Sequence, residues 1–257
     1  MHIHAQHISL QIGKKTLLYA LTADFEPNKF HLILGANGAG KSTLVKILSG
    51  QIRPSEGDVI YGDKRLQDYK VQELAKFRAV LSQSVDFAFP LTVQEVVMMG
   101  CYPHFSTQPK TSDQEIVKQA MNTFGISDFN QRDYTSLSGG EKQRVHFARI
   151  MAQIWPEDST PKILFLDEPL TYLDVKFQHE FLQKVKDFIA TQNLTLIGVL
   201  HDLNLAARFA DTLFLLKEGS LVACGSKEEV LTSENIKNVY GMTPHFIREG
   251  ERFIIDF

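Results

Sequence analysis

The chain has 257 residues, 44% of them hydrophobic, with a formal net charge of -3 and a pI near 6.3. The apolar content suffices for a full core, and the charge gives no global attraction to nucleic acid or another polyanion. Cys101 and Cys224 are the only cysteines and lack C-x-x-C spacing, so neither a disulfide framework nor a thiolate zinc site is indicated, which fits a reducing cytosol. No apolar run reaches the roughly 18 residues of a membrane span, so any membrane attachment comes through a partner.

Residues 3–34 read as short strands with turns at Gly13-Lys14-Lys15 and Glu26-Pro27-Asn28, which predicts a small N-terminal antiparallel sheet. His2, His4 and His7 alternate at strand spacing and read as an exposed strand face. Phe30-His31-Leu32-Ile33-Leu34 is a buried strand pattern, and Leu44-Val45-Lys46-Ile47-Leu48 carries apolar side chains at helical spacing. Asp58-Val59-Ile60-Tyr61 runs into a Gly62-Asp63 turn, giving a hairpin over 57–66. A helix over Val71–Phe77 and a short strand over Ala79–Gln83 follow. From 85 to 160 helical patterns are broken by Pro90, Pro103 and Pro109. One such helix opens on the capping box Ser112-x-x-Glu115 and ends near Gly125, and another opens on Ser138-x-x-Glu141 with Val145, Ala148, Met151 and Trp155 on one face. Beyond Pro161 the apolar runs 163–166 and 194–200 flank a helix carrying Phe181, Val185 and Ile189, an alternation that predicts βαβ units and a parallel sheet.

Two stretches carry chemistry. Gly35-Ala36-Asn37-Gly38-Ala39-Gly40-Lys41-Ser42-Thr43 satisfies G-x-x-x-x-G-K-[ST] between the predicted strand and helix, the context this phosphate-binding pattern requires. Backbone N–H groups of the loop would face the phosphates of a nucleoside triphosphate, aided by the partial positive charge of the helix start. Lys41 would reach the β- and γ-phosphates, and the Ser42 hydroxyl would ligate Mg2+. The run Lys162-Ile163-Leu164-Phe165-Leu166-Asp167-Glu168 is an apolar strand ending in two carboxylates. Asp167 would hold Mg2+ directly or through water, and Glu168 would accept a proton from the attacking water as general base.

Leu137-Ser138-Gly139-Gly140-Glu141-Lys142-Gln143-Arg144 resembles the signature of the ATP-binding-cassette (ABC) family. The resemblance implies that Ser138, Gly139 and Gly140 meet the γ-phosphate held by the phosphate loop of a second copy, so that ATP and Mg2+ are shared across a homodimer. In the same family order, Gln83 falls at the Q-loop, which senses Mg2+ and water near the membrane partner. Asp174 falls at the D-loop that helps join the subunits, and His201 at the switch histidine that contacts the γ-phosphate. The implied architecture is α/β: a P-loop NTPase (RecA-like) core with a mostly parallel sheet and an N-terminal antiparallel β-subdomain, about 1–84 and 161–257. A helical signature subdomain, about 85–160, is inserted in it. Two positions depart from the pattern: Ile12 stands where an aromatic usually stacks on adenine, and Leu170 where a threonine is usual after Pro169.

Within the family the chain is most similar to ATPase subunits of iron-chelate, haem and cobalamin importers. Val93–Gly100 with Tyr102-Pro103-His104 resembles the segment after the Q-loop in these importers. Arg149–Pro156 and His201–Ala210 resemble haem-import subunits, whereas Thr171-Tyr172-Leu173-Asp174 is closer to the siderophore branch. The implied role is ATP hydrolysis powering haem import at the cytoplasmic side of the inner membrane. The implied partners are transmembrane permease subunits and, indirectly, a periplasmic substrate-binding protein. The alternatives are the same role for an iron-siderophore or cobalamin importer, or a soluble non-transport ABC ATPase. Soluble relatives carry long heptad coiled coils or a second cassette, and neither is found here.

Overall fold

The structure, a computed structural model, describes residues 1–81, 90–155, 160–249 and 252–257. The chain begins with a hairpin of β1 (Ile3–Ile12) and β2 (Lys15–Phe25), then β3 (Phe30–Gly35), α1 (Lys41–Leu48), β4 (Glu56–Tyr61), β5 (Lys64–Arg65), α2 (Val71–Ala75) and β6 (Arg78–Leu81). Strands β2, β1, β4 and β5, in that order, form the antiparallel sheet that the turns predict. In β1 the buried residues are Ile3 and Ala5, then Ile8 and Leu10, because a register shift between Ala5 and Ile8 moves the inward frame by one residue. His7, at φ 49°, lies in that irregularity. The shift leaves His2 and His7 exposed and His4 half-buried, as an outward strand face predicts; His2 Nε2 and His4 Nδ1 lie 3.3 and 2.7 Å from Asp24 Oδ1, and the His7 amide donates to Thr22 Oγ1.

The predicted strand ends at Leu81 among the described residues, so Ser82 and Gln83 lie outside them. Among the described residues three α-helices follow before the next strand: α3 (Val93–Met98), α4 (Thr111–Thr123) and α5 (Gly139–Gln153). Helix α4 departs from its predicted start. It begins two residues earlier than a Ser112 cap allows, with Asp113 rather than Glu115 accepting the reach-back bond, from the Lys110 amide at 2.6 Å. In α5, Val145, Ala148 and Met151 are buried on one face as expected, but the helix stops at Gln153 and Trp155 packs from beyond its end. Next come β7 (Lys162–Asp167), α6 (Val175–Thr191), β8 (Leu194–Val199), α7 (Leu203–Phe209), β9 (Thr212–Lys217), β10 (Ser220–Gly225), α8 (Lys227–Val230) and α9 (Ser233–Tyr240). A C-terminal hairpin of β11 (His245–Glu249) and β12 (Arg252–Asp256) ends the chain.

The larger sheet has the order β10-β9-β3-β8-β7-β6, with parallel pairing throughout except at the β10 edge. Its central strands β3, β7 and β8 are buried at every residue, because both faces are covered. Alternate side chains serve two cores. Ile33, Ile163, Phe165, Ile197 and Val199 pack with α1 and the antiparallel sheet, while Leu32, Leu34, Leu164, Leu166 and Leu196 pack with α3, α4, α5 and α6. Helix α1 has only eight residues and is too short to persist alone. Leu44, Val45, Ile47 and Leu48 are fully buried in the first core, each worth roughly 1.5–3 kcal/mol, so tertiary packing holds the helix. The register sets Ile33 beside Val199 and Val199 beside Asp167, which brings the C-terminal ends of β3, β8 and β7 to one level. Open α/β sheets place ligands at that edge.

Candidate nucleotide site

The loop between β3 and α1 closes on itself through the Ala39 amide, which donates to the Ala36 carbonyl at 3.1 Å. Gly40 caps α1 at φ 98°, in the left-handed region, and a side chain there would come within 2.9 Å of Leu18 and 3.1 Å of the Leu17 carbonyl. No side chain caps α1 and no acid occupies its first turn. Lys41 is 5% exposed, and its ammonium donates to the carbonyls of Gly35 at 2.8 Å and Ala36 at 3.0 Å. Burial pulls its pKa below the ordinary lysine range, against the raising influence of Glu168 and Asp167.

The Ser42 hydroxyl donates to Asp167 Oδ1 at 2.9 Å, joining the start of α1 to the end of β7. Burial pushes the Asp167 carboxyl above the ordinary aspartate range; the Ser42 hydrogen bond opposes this, Glu168 adds to it, and Lys46 and Lys41 oppose it. Glu168 sits at φ 51°, and Oε1 lies 2.7 Å from His201 Nε2. A non-glycine residue in that region costs about 1–3 kcal/mol, and such strain concentrates where side chains do chemistry. Residues 37–43 of the loop and helix start and Glu168 line one cleft of about 520 Å3 together with Lys15, Leu17 and Tyr19, within the range of small-molecule sites.

The remaining predicted residues lie elsewhere in the single chain. Ser138 is the N-cap of α5 and forms the predicted capping box: its amide and hydroxyl both donate to Glu141 Oε2 at 2.8 Å. Gly139 and Gly140 form the first turn behind it, against Tyr172. None of the three lines the cleft that holds Lys41. Asp174 caps α6, its Oδ1 accepting the Phe177 amide at 3.0 Å. Gln83, predicted as a Mg2+ and water sensor, lies outside the described residues.

The sequence profile described as ABC transporter matches residues 18–171, more than half of the chain. The chain belongs to the ABC transporter family. Hemin import ATP-binding proteins HmuV are 40% identical in Pseudoalteromonas translucida (strain TAC 125), over 93% of this chain and 92% of that protein, and 43% identical in Gloeobacter violaceus (strain ATCC 29082 / PCC 7421), over 93% and 87%. An inward-facing metal-chelate type ABC transporter superposes with a TM-score of 0.81 at 25% identity, over 99% of this chain and 97% of that one. The dimeric cassette MJ0796 shares the fold, with a TM-score of 0.76 at 24% identity over 87% and 98%. This ABC chain thus has the expected α/β P-loop NTPase fold, and no helix among its described residues is long and apolar enough to cross a membrane.

Several residues around the cleft and its loop have no motif of their own. The Glu218-Gly219 turn joins β9 to β10 with both residues at positive φ, the geometry of a tight hairpin. The Gly219 amide donates to Ala39 and its carbonyl accepts the Tyr19 amide, each at 3.0 Å, clipping β2 to the phosphate loop. The Gly in Lys217-Glu218-Gly219-Ser220 signals a turn, but only the sheet order brings that turn to the loop. Tyr240, at the end of α9, hydrogen-bonds to the backbone of Gly35, and burial pushes its pKa up to about 12.

Proposed function

We propose that this chain is the ATP-hydrolysing subunit of a hemin importer, working as a homodimer bound to membrane permease subunits on the cytoplasmic side. A periplasmic binding protein would deliver the cargo. The observation that carries the reading is the complete phosphate, carboxylate and histidine arrangement on a chain similar along nearly its whole length to proteins named for hemin import. The iron-siderophore and cobalamin alternatives are not favoured by these relatives. Residues 85–160 act as the signature subdomain in this reading, with Ser138, Gly139 and Gly140 of one copy facing ATP on the loop of the other, and Asp174 at the seam.

The residues present fit Mg2+ as well. A hydroxyl and a carboxylate meet at 2.9 Å beside the loop, and such hard oxygen donors are the ligands Mg2+ takes. Ser42 and Asp167 would hold the ion, with Gln83 as a further ligand. When bound, it neutralises charge on the phosphates. Lys41 leaves the carbonyls of Gly35 and Ala36 to reach the β- and γ-phosphates of ATP. Glu168 takes the proton of the attacking water, a contribution of about 10²–10⁴-fold for a well-placed base, and His201 orients its carboxylate through Oε1. Closure of the dimer on ATP and reopening after hydrolysis would pass through the segment 84–104 to the permease.

The test is cargo-specific stimulation. In vesicles holding the chain with its permease, haem-loaded binding protein is expected to raise ATP turnover above that with empty binding protein. Stimulation by siderophore-loaded but not haem-loaded binding protein would overturn the cargo assignment.

A further inference from the structure

Glu168 breaks two backbone preferences at once, standing at φ 51° and preceding Pro169, whose ring restricts the residue before it. Such a conformation persists only where its surroundings hold it. The segment behind it is tied at several points. Thr171 Oγ1 donates back to the Glu168 carbonyl at 3.1 Å, and Gln178 Nε2 donates to the carbonyls of Leu170 at 3.3 Å and Leu173 at 3.0 Å. These ties are local, from the segment itself and the helix that continues it. The shortest tie is not local. Gln143 Nε2, one turn into α5, donates to the Pro169 carbonyl at 2.7 Å, across 26 positions of sequence. The same helix start lies against the same segment, since a side chain on Gly140 would come within 3.3 Å of the Tyr172 carbonyl.

We infer that Gln143 is a positioning residue for Glu168: its amide fixes the Pro169 carbonyl, and a shift of α5 is thereby passed to the carboxylate of the same chain's nucleotide site. This rests on the reading of Glu168 as general base. It assigns Gln143 a role that neither phosphate contact nor helix packing supplies, because its donor goes to the backbone beside the acid. It also gives α5 two outputs, Ser138 at its start and the Gln143–Pro169 tie one turn later.

A double-mutant cycle on the full-length chain tests this, with ATP turnover, ATP affinity and melting temperature measured for the parent, Gln143→Met, Glu168→Gln and the double variant. A small misplacement of a reacting group costs on the order of 10- to 100-fold, so Gln143→Met is expected to lower kcat by about that factor while KM stays within about twofold. Glu168→Gln should then cost far less in the Gln143→Met background than in the parent, since an acid already out of place has little to lose. Gln143→Lys, which keeps a donor for the carbonyl, should recover turnover. Should Gln143→Met not fold, Gln143→Glu removes the donor in the same shape and takes its place in the cycle. Parental kcat in a folded donor-free variant, or an equal cost of Glu168→Gln in both backgrounds, overturns the proposal. Parental turnover in Glu168→Gln alone overturns the base assignment itself, a result distinct from either.

Discussion

The helices α1 and α5 both begin where this chain is expected to meet phosphate, yet their N-termini are built in opposite ways. Helix α1 starts from Gly40 at φ 98° with no side-chain cap and no acid in its first turn. Helix α5 starts from Ser138 at φ -65° and ψ 160°, the extended backbone of an ordinary cap, and Glu141 closes a capping box on it. Gly40 has no side chain and so offers no oxygen to the first amides, which leaves the positive end of α1 open to a ligand. The α5 end already has a carboxylate of its own. The difference suits the proposed site, made of a permanent cradle and a second surface that must come and go: α1 would hold phosphate in the single chain, whereas α5 would stay satisfied until a partner's nucleotide competes for Ser138.

The sharpest way to break this contrast is to give α1 a carboxylate. In Gly40→Asp a negative side chain would enter the phosphate loop, its Cβ against Leu18 and the Leu17 carbonyl, and like-charge juxtaposition with phosphate costs several kcal/mol. Affinity for ATP is expected to fall at least about 100-fold, measured by displacement of a fluorescent nucleotide. Gly40→Asn carries the same bulk and the same φ demand without the charge. Loss of affinity as large in the Asn variant would show that backbone strain and crowding by Leu18 decide the site, not the uncapped helix end.

The two helix starts were also unequally legible in sequence. Gly35–Thr43, Asp167-Glu168 and Ser138-x-x-Glu141 are contiguous patterns whose chemistry depends on neighbours a few residues away, and each was found where spacing put it. The frame shift in β1 was hidden, because an irregularity that flips Ile8 inward leaves no mark in composition. So was the brace behind Glu168: Gln143 reads as one more polar residue on an amphipathic helix until Pro169 is seen opposite it. The C-terminal hairpin carried no motif either, yet Asn204, just past His201, holds both backbone groups of Ile255, at 3.0 and 2.8 Å. Contacts closed across tens of residues by the sheet order are what periodicity cannot report.

Removing the cap of α5 separates the two helix starts by their readouts. Ser138→Ala loses an N-cap, worth about 1 kcal/mol, which for a chain of this size lowers Tm by roughly 2–4 °C. Because Ser138 does not line the cleft around Lys41, ATP affinity of the single chain should stay within about twofold, the loss of one distant contact being additive and small. Turnover should fall on the order of 10-fold or more, the effect of removing a hydrogen bond to a charged group. A loss of single-chain ATP affinity matching the loss of turnover would place Ser138 in the same site as Lys41 and dissolve the comparison.

The smallest change makes the α5 start more like that of α1. Glu141→Gln keeps an oxygen for the Ser138 amide and hydroxyl but removes the negative charge, which at a helix N-terminus influences an incoming anion by roughly two- to fivefold. If Ser138 must exchange Glu141 for phosphate, the concentration of ATP giving half-maximal turnover should fall by about that factor. Stability moves the other way, and its pH dependence identifies the cause. Hydrogen bonds from the Ser138 amide and hydroxyl hold the Glu141 carboxyl below the ordinary glutamate range. A depressed carboxylate stabilises the folded state above its unfolded value of 4.5 and loses that contribution as pH falls through the folded value. Acid titration of stability should therefore show a component below about pH 4.5 in the parent that Glu141→Gln lacks. An unchanged ATP dependence together with the loss of that acid component would mean that Glu141 only caps its helix, and that phosphate reaches α5 without displacing it.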